Sequence, residues 1–388
     1  MLEELAWSRR DFTLPRTLSQ FVMAGVGLLI GGWVDRFGPR RFMSVGMVVL
    51  SGALYSCSQV TTLTQWILLN GVVLTMGSAL IGNLVVNVTL AKWFVERRGT
   101  ASALAAMGIS FAGVALVPAV TYAIDAQGWR EAWQWLAGFA LLAMIPVVLL
   151  MRRAPEDYGL HPDGKSDAEV AGGLALRAEQ DFSNSMTRAE AVRTASFYYL
   201  VVAFGCFSAG IAVMLLQTVP YVTDAGFSRT NAALMLVIAS VPALVSKPIW
   251  GYFIDRSNAP RPLAALSAVL TGLATALIVV AQAQASLVGL YVGYFVLGIG
   301  WGGMIPLQEV IWAGFFGRRY LGAVRSAALP IALLISAPAP WLTSWYYDLS
   351  GNYTFAIAVM AGVNLVAAVL IMLIPTPSHP AGATINAA

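Results

Sequence analysis

Long apolar runs separated by short charged intervals set the pattern of this chain. Eleven such runs fall near residues 12–34, 42–60, 64–91, 99–122, 132–151, 195–223, 229–254, 262–282, 286–315, 321–345 and 353–375. Crossing a hydrocarbon core takes roughly 20 helical residues, and each run supplies about that many. Strands of a membrane barrel alternate lipid-facing and interior positions, which these runs do not. Lipid offers the backbone no hydrogen bonds, so each run must close its own ladder as a helix. The predicted fold is an all-α membrane protein with eleven transmembrane helices.

The polar intervals add an orientation. Of the 23 Lys and Arg, 16 sit in alternate intervals: Arg36, Arg40 and Arg41; Lys92, Arg97 and Arg98; six between 152 and 194; Arg256 and Arg261; Arg318 and Arg319. Such an excess marks cytosolic loops. It puts these intervals and the tail 376–388 in the cytosol of a multi-pass plasma (inner) membrane protein, and residues 1–11 outside. The opposite intervals hold Arg9, Arg10, Arg16, Arg130 and Arg229, while Lys247 and Arg325 fall inside runs. Composition agrees, with 58% hydrophobic and 11% charged residues against about a quarter charged in soluble domains. The net charge of +4 therefore reports topology and not nucleic-acid binding. Cys57 and Cys206 lie within runs, where a small buried apolar role outweighs a disulfide.

Residues 152–194 hold 14 of the 42 charged side chains and read as a cytosolic linker. Setting the chain after this linker against the chain before it aligns landmarks at offsets of 220 to 223. Gly31 and Asp35 match Gly251 and Asp255; Phe94 matches Phe316; Arg97-Arg98 match Arg318-Arg319; Gly99 matches Gly322; Asp125 and Gly128 match Asp348 and Gly351. The chain thus divides into an N-terminal bundle (1–151), a linker (152–194), a C-terminal bundle (195–375) and a tail (376–388). Parallel repeats about an axis along the membrane normal are a transporter plan, with substrate near midplane between the halves. At offset 220, DAGFSRTN (224–231) falls on ELAWSRRD (4–11), and run 195–223 falls mostly before Met1. Five helices then answer six, and the chain reads as lacking its first span.

The segment GGWVDRFGPRR (31–41), echoed as GYFIDR (251–256), resembles the loop signature of the major facilitator superfamily. WFVERRGTASALAAMGISFAG (93–113), GWREAW (128–133) and RRAPEDYGLHPDG (152–164) are similar to its monocarboxylate-porter and oxalate:formate-antiporter branch. The resemblance implies a cytosolic latch between the halves, formed by Gly31, Asp35, Arg36, Gly38, Arg40 and Arg41, with Gly251, Asp255 and Arg256 as the weaker copy. Physically, Gly27 and Gly31 allow a close helix approach. Asp35 ends its helix where the dipole disfavours it, so it needs a cation or the amino terminus of another helix. The plainer reading of the arginines is that they only set topology.

Charges inside spans are costly and mark functional positions by default. Lys247 lies eight residues before Asp255, hence roughly 12 Å from that helix end. SKPIWG (246–251) resembles the branch's eighth span, where a cation before proline binds the substrate carboxylate; the branch's Asp one turn earlier is Ala243 here. Glu309, at similar depth, could pair with Lys247 or carry a coupled proton. Its repeat counterpart is Asn87, with Asn83 one turn away, and these two read as a polar stripe facing the cavity or as interhelical hydrogen bonds. Gln217 is a weaker candidate of the same kind. Arg325 lies one turn past Gly322 and fits snorkelling or pairing with a latch acid better than substrate contact.

Several signals carry no chemistry. GIGWGG (298–303) matches a dinucleotide motif but follows no strand, so close helix packing explains it. Pro118, Pro306 and Pro340 suit bends in rocking helices. His161 and His379 lie outside the runs. Without metal ligands, a nucleophile with a base, or a phosphate loop, neither enzyme activity nor a cofactor is expected. The leading reading is a secondary transporter of a small organic anion, a monocarboxylate by resemblance, coupled to a proton or a counter-anion. The same fold also suits an exporter of hydrophobic compounds, or a non-transporting membrane protein that is receptor-like or an inactive truncated remnant.

Overall fold

The computed structural model describes residues 2–375 except 6, 8, 171–175, 184 and 258; the tail 376–388, with His379, lies outside the described residues. The apolar runs form helices α1 (Arg9–Phe37), α2 (Pro39–Ser58), α3 (Leu63–Leu68), α4 (Thr75–Ile81), α5 (Asn83–Trp93), α6 (Arg98–Gln127) and α7 (Trp129–Leu150) before the linker. The linker carries α8 (Leu176–Ser183), and after it come α9 (Ala195–Asp224), α10 (Arg229–Arg256), α11 (Pro260–Ala283), α12 (Leu287–Phe316), α13 (Leu321–Ser336), α14 (Pro338–Ser350) and α15 (Thr354–Met372). Among the described residues, nine helical stretches are long and apolar enough to cross a membrane. The two remaining runs, 42–60 and 99–122, coincide with α2 and α6.

Local chemistry fixes where helices begin and end. Thr62, Thr194, Ser228 and Ser286 accept a backbone N–H in the first turns of α3, α9, α10 and α12, which satisfies donors a helix leaves orphaned. Pro39 and Pro260 open α2 and α11, where a missing N–H costs nothing. Gly38 turns the chain between α1 and α2 at φ 80°, and an added Cβ there would sit 3.0 Å from the Cβ of Arg153. Both the backbone and the space demand glycine.

Among the described residues two spans are interrupted, and they are not repeat mates. Run 64–91 passes from α3 through a π-helical turn, Leu69–Leu74, into α4, and breaks at Gly82 (φ −75°, ψ −175°) before α5. Its counterpart α12 runs unbroken for 30 residues through Pro306. Run 321–345 divides at Ala337 into α13 and α14, with Pro338 opening α14; its counterpart α6 is continuous for 30 residues. The two halves therefore place their irregular backbone in different helices.

The packing shows which side is closed. One core cluster joins both bundles: Ile30, Val34, Val85 and Val88 pack with Phe197, Phe204, Trp312, Leu321 and Val324 at the linker side. Towards the opposite side the bundles have separate clusters, Cys57, Val60 and Trp66 in one and Met214, Tyr221, Met235, Tyr294 and Ile357 in the other. The N-terminal segment belongs to that opposite side. Glu4 accepts a hydrogen bond from Trp129 Nε1 at 2.6 Å and pairs with Arg130, and Phe12 stacks on Trp66 at 5.1 Å. Cys57 is buried and Cys206 half-buried, and both are free thiols.

Candidate functional site

At the linker side each bundle presents a carboxylate to the other. Asp35 closes α1 with Oδ1 2.6 Å from Lys92 Nζ, and its Oδ2 accepts the Ala323 N–H at 2.9 Å in the first turn of α13. Asp255, near the end of α10, accepts the N–H groups of Gly99 and Thr100 at 2.6 and 3.0 Å in the first turn of α6. The negative charge meets orphan donors and the positive end of a helix dipole in both places. Backbones must approach closely for this. A Cβ on Gly31 would collide with the Gly322 carbonyl, and one on Gly251 would lie 2.9 Å from Thr100 Cα. The GxxxG spacing serves the same contact, since a Cβ on Gly27 would strike Leu329.

The arginines of the signature are not brought to this contact. Arg36, Arg40, Arg41 and Arg256 are exposed, with Arg36 5.2 Å over the Phe37 ring and Arg256 3.8 Å over Tyr252. The cation at the contact is Lys92, 6% exposed. Lys92 escaped sequence reasoning because it sits among the loop charges that set topology, and only folding carries it to Asp35.

The linker ties the same loops together. Asp163 accepts the successive N–H groups of Val95, Glu96 and Arg97 at 3.0, 3.0 and 3.1 Å. Arg98 pairs with Asp181 at 2.7 Å, and Arg318 pairs with Glu156 at 2.5 Å while donating to the Lys92 carbonyl at 3.1 Å. Met186 N–H donates to the Phe316 carbonyl at 2.9 Å, and Ser185 Oγ accepts the Arg319 N–H at 3.1 Å. Burial of Arg98 and Arg318, 5% and 4% exposed, makes their carboxylate partners necessary. Beside them, the Arg153 guanidinium holds the Asp157 carboxyl below the usual carboxylate range.

Deeper in the membrane, the three predicted charges do not meet as expected. Glu309 Oε1 pairs with Arg325 Nη2 at 2.6 Å, and Arg325 also lies 5.3 Å over the Trp312 ring. The anticipated Lys247–Glu309 pair does not form. Glu309 and Arg325 stand on α12 and α13 of one bundle, whereas Lys247 on α10 reaches across to donate to Ser110 Oγ on α6. Arg325, expected near the latch acids, is part of the inner cluster instead.

Lys247 is 4% exposed and has no carboxylate partner among the described residues. Glu309 is 2% exposed, and its Oε2 has no hydrogen-bond partner among the described residues. Asn87 sits against this carboxylate from the other bundle. Asn87 and Glu309 are repeat mates, and mates that touch must lie beside the axis relating the halves.

The remaining candidates separate. Asn83 is exposed at the first position of α5, just past the Gly82 break. Gln217 is not brought to the cluster, because its amide donates to Ser344 Oγ at 2.8 Å and to the Pro340 carbonyl at 3.3 Å within its own bundle. The glycines of GIGWGG pack on neighbours: a Cβ on Gly298 would strike the Ala239 carbonyl, and one on Gly300 the Thr271 hydroxyl. No group of three or more His, Cys, Asp or Glu suited to a metal occurs among the described residues.

Similarity to known proteins agrees with this architecture. The chain is 26% identical over 340 residues to monocarboxylate transporter 13 of Bos taurus, covering 86% of this chain and 72% of that protein. It is 25% identical over 313 residues to the oxalate:formate antiporter of Oxalobacter formigenes, covering 78% and 68%. Among solved structures, the E. coli fucose:proton symporter superposes with a TM-score of 0.72 at 12% identity, covering 96% of this chain and 93% of that one. A human organic anion transporter superposes at 0.68 with 15% identity, covering 93% and 83%. The Major Facilitator Superfamily profile matches residues 1–328 and 198–387. A chain of two helical bundles, each presenting a carboxylate to the first turn of a helix in the other and bearing charges at their junction, thus belongs to the major facilitator superfamily.

Proposed function

We propose that the protein moves a small monovalent organic anion, a monocarboxylate, by alternating access between the two bundles. The observation that carries this reading is Lys247: a buried ammonium at the bundle interface with one hydroxyl partner and no carboxylate partner among the described residues. An uncompensated buried cation is costly, and an anionic substrate would supply the missing charge. Glu309 and Arg325 neutralise one another, so the inner cluster carries one net positive charge and matches a monoanion. Relatives named for monocarboxylate transport and for oxalate:formate exchange support a small carboxylate as substrate, and the monocarboxylate relatives and formate support a monoanion.

In this reading the Lys and Arg bias makes the linker side cytosolic, in the plasma (inner) membrane, and the closed linker side corresponds to an outward-facing state. Opening that side requires Asp35 and Asp255 to release the first turns of α13 and α6. Glu309 is the coupling group if a proton accompanies the anion: protonation would unpair Arg325 and give the cluster a second positive charge. A counter-anion would instead use Lys247 alone in both directions.

Uptake of labelled small carboxylates into proteoliposomes tests this. Lys247→Ala is expected to reduce uptake at least ~10-fold, the loss of one ion pair of about 1.4 kcal/mol or more, and Lys247→Arg to retain part of it. Unchanged uptake in Lys247→Ala would overturn the assignment. Stimulation by an inward proton gradient that disappears in Glu309→Gln selects symport, and counterflow indifferent to pH selects exchange.

A further inference from the structure

A cavity of about 500 Å³, apart from the inner cluster, lies at the linker side. Its walls come from α1, the end of α5, the chain just after α7, α8 and the loop before α13. Five cationic residues, Arg36, Lys92, Arg153, Arg318 and Arg319, line it together with three acidic ones, Asp35, Glu156 and Asp157. Lys92 is spent on Asp35, Arg318 on Glu156 and Arg153 on Asp157. Arg36 and Arg319 have no carboxylate partner among the described residues, and they belong to opposite bundles. Arg319 lies 5.2 Å over the Phe182 ring and 5.1 Å over Tyr320, so its guanidinium rests on aromatic faces instead of an acid.

We propose that this cavity is a binding site for a phosphate group, held between Arg36 of the N-terminal bundle and Arg319 of the C-terminal bundle. Two excess positive charges match a phosphate monoester or inorganic phosphate, and the planar guanidinium fork suits phosphate oxygens in bidentate contact. The volume falls in the range of roughly 300–1,000 Å³ usual for small-molecule sites. The same chemistry is presented by a soluble phosphate monoester and by the phosphomonoester headgroup of phosphatidic acid, and basic pockets between transmembrane helices take up anionic headgroups.

The site exists only while the linker side is closed, because parting the bundles separates its two arginines. Whatever binds it therefore favours the closed state and resists opening in proportion to occupancy. That makes the cavity a brake, set from the linker side, which is distinct from the substrate path through Lys247.

The test uses the full chain in nanodiscs and reads thermal stability, so it does not depend on knowing the transported substrate. Inorganic phosphate in phosphatidylcholine discs, against chloride at equal ionic strength, is expected to raise the melting temperature by roughly 2–4 °C. The Arg36→Gln/Arg319→Gln variant should lose that rise, and Arg36→Lys/Arg319→Lys should keep part of it. A rise seen only when phosphatidic acid replaces part of the phosphatidylcholine, and abolished by the same double variant, identifies a lipid headgroup as the occupant. Both side chains are exposed, so their replacement should leave folding intact, checked by elution as a single species. No rise with either source, or a rise undiminished in the Gln variant, overturns the proposal.

Discussion

Asp35 and Asp255 each set a carboxylate on the first turn of a helix in the opposite bundle, yet only Asp35 also holds a buried ammonium. Asp255 relies on two backbone N–H groups, at 2.6 and 3.0 Å. Asp35 divides its oxygens between one N–H and Lys92. The repeat has kept the helix cap, which needs nothing from the partner helix but backbone, and has varied the side chain beside it. Helix caps survive divergence because every helix start offers the same donors. The ion pair is a local addition on one side, and it makes the Asp35 latch dependent on a second residue in its own bundle.

Removing Asp35 should therefore cost the most. Asp35→Ala strands the Lys92 ammonium in a buried site, and breaking such a pair costs about 3–5 kcal/mol. We expect a lowered melting temperature in detergent, with much of the loss recovered in Asp35→Ala/Lys92→Met, where no buried charge is left over. If the double variant is no more stable than Asp35→Ala, the ion pair is not what separates the two latches. Next in size is crowding of the glycine contacts. Gly31→Ala drives a methyl into the Gly322 carbonyl, whereas Gly251→Ala meets atoms at 2.9–3.0 Å, and overpacking costs roughly 1–3 kcal/mol. A cysteine replacing Ser326, which is 1% exposed, reports opening of the linker side. Its maleimide labelling should rise several-fold with Gly31→Ala and less with Gly251→Ala.

What the sequence revealed of these latches follows from what repetition can reveal. Gly31, Asp35, Gly251, Asp255, Gly99 and Gly322 recur at offsets of 220 to 223, and the fold uses them as pairs. The span limits were legible because a bilayer imposes length and apolarity on every crossing. Lys92, Ser110 and Asp163 were not legible, since each acts through a partner 57, 137 or 66–68 residues away. The Gly82 break also left no mark: a lone glycine in an apolar run looks like a packing residue until its backbone is seen. The inner charges were found by their cost in the membrane, but cost names the residues without pairing them. Depth along the helices allowed Lys247 to meet Glu309, and only the direction each helix face takes decides for Arg325 and Ser110.

The smaller effects sharpen the comparison where the side chain is nearly preserved. Asp255→Asn keeps an oxygen that can accept one of the two N–H groups, so its cost should be near that of a weakened helix cap, about 0.5–2 kcal/mol. Asp35→Asn should cost more, because it also leaves Lys92 uncompensated; equal losses in the two would mean that the caps alone hold both latches.

Smallest is the surface pair Arg153–Asp157 beside the Asp35 latch, whose side chains are 43% and 30% exposed. Its carboxyl is held below the ordinary value chiefly by the Arg153 hydrogen bond. A depressed carboxylate stabilises the fold above its unfolded value and loses that contribution as pH falls through the folded one. Between neutral pH and about pH 3, wild type should therefore lose at most ~1 kcal/mol relative to Asp157→Asn, the usual ceiling for an exposed pair. Parallel acid melting curves for the two would confine the asymmetry between the latches to the buried Asp35–Lys92 pair.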